Sequence, residues 1–208
     1  MGADRPKAFA ALGGRPLLAE SIERLERSGW IDGIVVVAPP GWEEPAILLA
    51  EELVATKVVA VVAGGETRAD SVRAGLAEVG LEAMVVVVHD AARPLLEEDV
   101  LERVLSAVAE GWDGAVPGLQ IADTVKRVDG QQIIETVDRG DLVAVQTPQA
   151  FRADLLRGAF SGDLAGVTDC ASLVERHGGR VCVVGGDHRL LKVTTTEDLA
   201  AVERLLEA

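Results

Sequence analysis

Residues 58–94 read VVAVVAGGETRADSVRAGLAEVGLEAMVVVVHDAARP, and their pattern decides the fold. The run 58–63 holds only Val and Ala, the composition of a strand buried on both faces rather than one. A helical pattern over 68–79 comes next and is closed by Gly80. A second valine run, 84–88, succeeds it and ends at His89 and Asp90. Strand, helix, strand in that order predicts a crossover unit of a parallel sheet with helices packed on it.

The rhythm extends both ways from this centre. Upstream lie an apolar run at 33–38 and helical patterns at 16–28, closed by Gly29, and at 43–55. Downstream a helix is expected at about 97–110. The pattern then changes over 123–138, where two β-prone, partly polar segments flank Asp129-Gly130, a hairpin-turn signal. Such strands do not suit the inside of a doubly buried sheet, so a projecting arm is expected, with a second copy of the chain as the surface it packs on. Further expected elements are a strand near 143–146, a helix over 168–177, strands at 181–184 and 190–193, and a closing helix from Thr196, as N-cap, to 206. The fold expected is α/β and Rossmann-like: one domain over 1–208, a mostly parallel sheet with helices on both faces, and a β-hairpin arm at about 119–141.

Composition narrows the function classes. The chain has 208 residues, 49% of them hydrophobic, enough to fill a core. Its 34 acidic and 20 basic residues give a formal charge of −14, which repels nucleic acid and anionic membranes at long range. Apolar runs fall short of the roughly 20 residues that span a bilayer, and no secretory leader opens the chain, so no membrane partner and a cytoplasmic location are expected. Two widely spaced cysteines, Cys170 and Cys182, form neither a zinc pattern nor a disulfide framework. Small phosphorylated ligands stay open, because a few cations in a crevice decide their binding.

In open α/β sheets ligands bind beyond the carboxyl ends of strands, which directs attention to the residues just after each run. Gly64-Gly65-Glu66-Thr67-Arg68-Ala69-Asp70-Ser71 lies past a strand and opens a helix. Its glycines allow close backbone approach of a ligand, although the same dipeptide also serves a plain turn. His89-Asp90-Ala91-Ala92-Arg93-Pro94 lies past the valine run; Asp90 suits a divalent cation beside phosphates, and Arg93 either a phosphate or a salt bridge with Asp90. His89 is read as structural, having no partner at ligand or triad spacing. Thr124, Lys126 and Arg139 lie on the arm, and Thr147, Thr168 and Lys192 at element ends. These supply hydroxyls and cations without a base or thiol nucleophile, which suits phosphate binding better than covalent catalysis.

Several short segments taken together resemble one family: Pro6-Lys7, Leu12-Gly13-Gly14-Arg15-Pro16-Leu17-Leu18, the segment from Gly64 to Val72, and His89-Asp90-Ala91-Ala92-Arg93-Pro94. Asp123-Thr124-Val125-Lys126, Thr136-Val137-Asp138-Arg139, Gln146-Thr147-Pro148-Gln149, Thr168-Asp169 and Lys192-Val193-Thr194 continue the match in order and spacing. The family is that of the 2-C-methyl-D-erythritol 4-phosphate cytidylyltransferases of non-mevalonate isoprenoid biosynthesis. The resemblance implies transfer of a cytidylyl group from CTP to methylerythritol phosphate, with Mg²⁺ and release of pyrophosphate. It also implies roles: Lys7 on the triphosphate; Gly65, Glu66 and Ser71 around cytosine and ribose; Asp90 near the metal, with Ala91 and Arg93 on the same loop. Thr147, Thr168 and Lys192 fall on the methylerythritol phosphate side, while Thr124 and Arg139 reach a partner subunit's site in a homodimer.

The resemblance also carries a departure. Family members open with a strand and an Ala-Ala-Gly-x-Gly-x-Arg loop that cradles the CTP phosphates, whereas this sequence starts just past that loop. About 20 residues, a central strand and its loop, are therefore expected to be lacking, with Arg5 considered as a stand-in for the loop's Arg and set aside as solvated. Two rival functions remain open: ribitol 5-phosphate cytidylyltransferase, and a catalytically silent relative that binds nucleotide or only dimerises.

Overall fold

A computed structural model describes residues 6–207 of the chain; Arg5 lies outside them. The described part opens with a 3₁₀ turn, Lys7–Phe9, and a two-residue-strand hairpin, β1 (Ala11–Leu12) and β2 (Arg15–Pro16). It continues through α1 (Leu17–Arg27), β3 (Ile34–Ala38), α2 (Glu43–Glu52), β4 (Val58–Ala63), α3 (Arg68–Glu78), β5 (Val85–Val88) and α4 (Glu98–Ala109). Every one of these helices and strands longer than two residues falls on a pattern visible in the sequence. After α4 come β6 (Gly114–Gln120), β7 (Val125–Asp129), β8 (Gln132–Val137), β9 (Val143–Val145) and β10 (Gln149–Arg152). The chain closes with α5 (Ala153–Phe160), α6 (Cys170–Arg176), β11 (Val181–Gly185) and α7 (Thr196–Leu206).

The larger sheet runs β11–β6–β10–β5, with β9 also on β6. β11 is parallel to β6, whereas β10 is antiparallel to both β6 and β5. Two reversed strands thus belong to this sheet, β10 inside it and β9 beside β6, which strand-helix-strand rhythm alone does not foresee. β3 and β4 form a separate parallel pair. Two helices span the join. On one side Gly75 of α3 lies so close to β3 that a Cβ there would meet Val37 Cγ2 at 2.6 Å, while Ala69, Val72 and Leu76 of α3, and Val79 just after it, share a cluster with Val86 and Val88 of β5. On the other side Leu18, Ala19 and Ile22 of α1 pack on Ile34, Val36 and Ala38 of β3, and Leu25 of α1 joins the cluster that takes in Val87 of β5. The two sheet pieces therefore lie side by side under α1 and α3. Among the described residues β3 pairs only with β4, and β5 only with β10.

The arm is a hairpin in which β7 and β8, among the described residues, pair only with each other. Its turn is one residue later than Asp129-Gly130: Asp129 pairs with Gln132, leaving Gly130 and Gln131 at the tip. Gly130 has φ 55°, the requirement of a two-residue turn with glycine first. Three other expectations are corrected. Residues 190–193 make no ladder; Val193 N–H is tied to Ala92 O (2.8 Å) and Arg93 Nη1 to Leu190 O (2.5 Å), so this segment is a tethered loop. The last helix is capped by Thr195, whose hydroxyl accepts from Asp198 N–H, not by Thr196. α6 starts at Cys170 because Asp169, not Thr168, takes the cap position and accepts from Ser172 N–H.

Unpaired strand amides open to solvent more readily than ladder amides. Amide hydrogen exchange is expected to be faster on the β3 and β5 edges turned away from β4 and β10 than on the paired edges; equal protection on both would show that the gap is closed.

Candidate active site

The turn after β4 builds one wall. Gly64 N–H donates to Ala38 O (2.7 Å), and Gly65 N–H donates to Ser71 Oγ (3.1 Å). Side chains are excluded here: a Cβ on Gly64 would lie 2.8 Å from Ser71 Oγ, and one on Gly65 2.3 Å from Asp70 Cβ. Ser71 Oγ donates in turn to Thr67 O (3.0 Å), and Thr67 and Asp70 form a reciprocal capping box at the start of α3. The Thr67 hydroxyl holds the Asp70 carboxyl below its ordinary range. Glu66 is exposed at the edge of this turn.

Asp90, just past β5, is the centre of the neighbouring loop. Its side chain is only 15% exposed, and its two oxygens face different cations: Oδ1 meets Arg68 Nε (3.0 Å) and Oδ2 meets Lys192 Nζ (2.8 Å). Burial pushes the Asp90 carboxyl up, but Arg68 and Lys192 outweigh it and leave the pKa below the ordinary value. Burial also opposes the charge on Arg68, and Asp90 more than compensates. Behind Arg68, its Nη1 approaches the buried Cys170 Sγ at 3.7 Å; burial pushes that thiol up to about 11, so it is neutral.

The Asp90 loop is braced by a buried chain of hydrogen bonds. Asp90 N–H donates to Thr147 Oγ1 (3.0 Å), which lies 3.2 Å from His89 Nδ1. His89 Nε2 faces Arg93 O at 3.1 Å. A carbonyl oxygen only accepts, so the network assigns the proton to Nε2 and makes Nδ1 the acceptor of the Thr147 hydroxyl. Burial pushes the His89 imidazole down to about 4, keeping it neutral. Ser21 Oγ of α1 donates to Ala91 O (3.2 Å), Arg93 N–H to Asp90 O (2.8 Å), and the Val193 bond to Ala92 brings Lys192 alongside.

The structure thus joins Asp90, Ala91, Arg93, Thr147 and Lys192 through direct bonds, and links Gly65 and Ser71 to them through Arg68 of the same turn. Lys7 is exposed on its 3₁₀ turn, which is anchored by buried Phe9 against Trp42 with ring centroids 4.6 Å apart; Ala8 and Ala91 pack on this same cluster. Thr168 is exposed, two residues before Cys170. Thr124 and Arg139 are exposed on the arm, where Arg139 Nη1 donates to Ala122 O, with no bond to the Asp90 cluster within one chain. Sequence reasoning gives no part to Arg68. Its one signal is a cation at the first position of a helix, the end at which the backbone dipole favours anions. Among the described residues no three His, Cys, Asp or Glu side chains gather as a metal cage, and no helix is long and apolar enough to cross a membrane.

A family model described as IspD, 2-C-methyl-D-erythritol 4-phosphate cytidylyltransferase, matches residues 1–208. The enzyme of that name from Nocardia farcinica is 44% identical over 208 residues, covering 100% of this chain and 88% of that protein. Its counterpart from Saccharopolyspora erythraea is 46% identical over 212 residues, covering 99% and 93%. Among solved structures, a 4-diphosphocytidyl-2C-methyl-D-erythritol synthase superimposes with TM-score 0.85 at 36% identity, covering 97% of this chain and 95% of that one. The 2-C-methyl-D-erythritol 4-phosphate cytidylyltransferase of Thermus thermophilus gives 0.82 at 33% identity, covering 98% and 95%.

The buried Thr147 hydroxyl serves two partners at once. Thr147→Val keeps the shape but strands the Asp90 amide and His89 Nδ1, and is expected to lower stability by about 1–3 kcal/mol in urea unfolding, while Thr147→Ser retains most of it.

Proposed function

The chain belongs to the 2-C-methyl-D-erythritol 4-phosphate cytidylyltransferase family, and we propose how its residues carry out the family's reaction. The protein is a nucleotidyltransferase that moves a cytidylyl group from CTP to 2-C-methyl-D-erythritol 4-phosphate, giving 4-diphosphocytidyl-2-C-methyl-D-erythritol and pyrophosphate. An acceptor phosphate oxygen bonds to the α-phosphorus of CTP, the bond from that phosphorus to the bridging oxygen breaks, and pyrophosphate leaves with the electron pair. The attacking oxygen is already anionic, so no general base is required. The task is to bring two polyanions together and offset charge on the α-phosphate and leaving group.

The observation that supports these roles best is a single ionised carboxylate, Asp90, held between Arg68 and Lys192 beside a glycine turn. Lys7 contacts the triphosphate of CTP; Gly65, Glu66 and Ser71 line the cytosine and ribose pocket; Lys192, Thr147 and Thr168 serve the sugar-alcohol phosphate; Ala91 and Arg93 shape the Asp90 loop. One carboxylate suits Mg²⁺, which uses one or two carboxylates and takes its other ligands from phosphates and water. Asp90 is the residue to hold it, and Mg²⁺ when bound neutralises phosphate charge.

The active form we propose is a cytoplasmic homodimer in which Thr124 and Arg139 of one arm enter the partner's site. Two features support it: among the described residues the strands of the arm pair only with each other, and the arm exposes Val128, Ile133 and Ile134. An isolated two-stranded hairpin is marginal in water, and apolar side chains on it gain from a covering surface. The free β3 and β5 edges support a further proposal, that one more extended segment completes the sheet between them. Supplied in the same chain, it should protect the amides on those edges.

Pyrophosphate release is expected with CTP, Mg²⁺ and methylerythritol 4-phosphate, and not with ribitol 5-phosphate. Turnover with ribitol 5-phosphate alone would reject the acceptor, and CTP binding by calorimetry without turnover would identify a silent nucleotide-binding relative. Mixing Arg139→Ala with Lys7→Ala subunits places both lesions in one of the two sites of each heterodimer. About a quarter of the wild-type activity should return in a random mixture, and none if the arm serves its own subunit.

A further inference from the structure

Arg68 has no part in the roles assigned so far, yet it contacts the Asp90 carboxylate through two of its nitrogens. All three guanidinium nitrogen positions are engaged: Nε and Nη2 each lie 3.0 Å from Asp90 Oδ1, and Nη1 faces Cys170 Sγ at 3.7 Å. The partners come from different elements, Asp90 after β5 and Cys170 at the start of α6, so the planar fork is fixed on two sides. Lys192 is the opposite kind of partner. It is a single ammonium on a flexible stem, 43% exposed against 32% for Arg68, and the bond it makes to Asp90 is to the other oxygen, Oδ2.

The two cations are therefore not equivalent when a phosphate enters the crevice. Lys192 can rotate from Asp90 Oδ2 onto a phosphate oxygen at the loss of one bond. Arg68 would lose a hydrogen bond and a second ionic contact to the carboxylate as well as its contact with the thiol, and stays. We infer that Arg68 is the positioning residue of this site: it holds the Asp90 carboxylate in place while Lys192 is handed over to the substrate phosphate. The inference rests on the reaction assigned above, and it adds a residue whose effect passes through Asp90 rather than through the substrate.

The test combines kinetics with one measurement that needs no turnover. Arg68→Met is expected to lower kcat about ten- to hundredfold, as loss of a partner that orients a ligating side chain does, with KM for CTP within about threefold of wild type. Arg68→Lys should recover part of the loss while the melting curves of both variants stay cooperative. Because the residue acts through Asp90, the double variant Arg68→Met/Asp90→Asn should be no slower than Asp90→Asn alone. A kcat within about twofold of wild type for Arg68→Met, or losses that multiply in the double variant, would overturn the proposal. In a crystal structure of Arg68→Met the Asp90 carboxylate should move by more than about 0.5 Å, the tolerance of a preorganised site; an unmoved carboxylate would overturn it as well. A wild-type chain inactive toward both acceptors would reject the assigned reaction, and the crystallographic arm would still decide the place of Arg68.

Discussion

A carboxylate that is only 15% exposed must be paired, and the way Asp90 is paired organises this molecule. Its partners come from far apart in the sequence: Arg68 opens α3, Lys192 lies past β11, and the Thr147 that receives its backbone amide precedes β10. Three loops are thereby drawn to the end of β5. Each loop is braced separately, by the capping box of Thr67 and Asp70, by the tether from Val193 to Ala92, and by the chain from Thr147 through His89 to Arg93. The site is thus held by hydrogen bonds at loop ends, while the apolar clusters below it fix where the loops begin.

Those clusters also explain how a sheet in two pieces keeps one set of faces. Val35 and Val37 of β3 and Val86 and Val88 of β5 lie toward α3, and Val36 and Val87 lie toward α1. Side chains alternate across a strand, so the common facing of both pieces means that β3 and β5 follow a common pleat. The helices carry this registry across the join without help from a ladder. At the join, among the described residues, ladder partners are lacking on one edge each of two short strands of five and four residues.

Much of this is legible in the sequence because the relevant signals are local. The all-apolar runs at 33–38, 58–63 and 84–88 mark β3, β4 and β5, and the arm announces itself through Asp129-Gly130 between polar strands. The features that escape sequence reading are non-local. β6 contains Pro117 and two glycines, which argue against a strand in isolation, yet its first four residues are buried and it is the hub that β9, β10 and β11 all pair with. β10 has only four residues and α5 begins directly after it, so neither offers a periodic window. In the site, Asp90 and Lys192 can be picked out by residue type and position. Arg68 cannot, since its meaning depends on Asp90 and Cys170, 22 and 102 residues away. His89 is structural, as its lack of a partner at ligand spacing suggests, but its bond to Thr147 exists only in the folded chain.

The charge of the whole chain contrasts with the cations gathered around Asp90. A protein at −14 repels large polyanions from a distance. At physiological ionic strength that repulsion fades beyond about 8 Å, while contacts inside a crevice are screened far less. The contacts of Arg68, Arg93 and Lys192 around the Asp90 loop, at 2.5–3.0 Å, are of this second kind. Inside, the cations are graded by mobility: Arg68 is tied to the carboxylate, Arg93 to the Leu190 carbonyl, Lys192 is held by one bond, and Lys7 is exposed. Around Asp90 the arginines are thus anchored to fixed partners on other loops, whereas the lysine beside them hangs on a single bond.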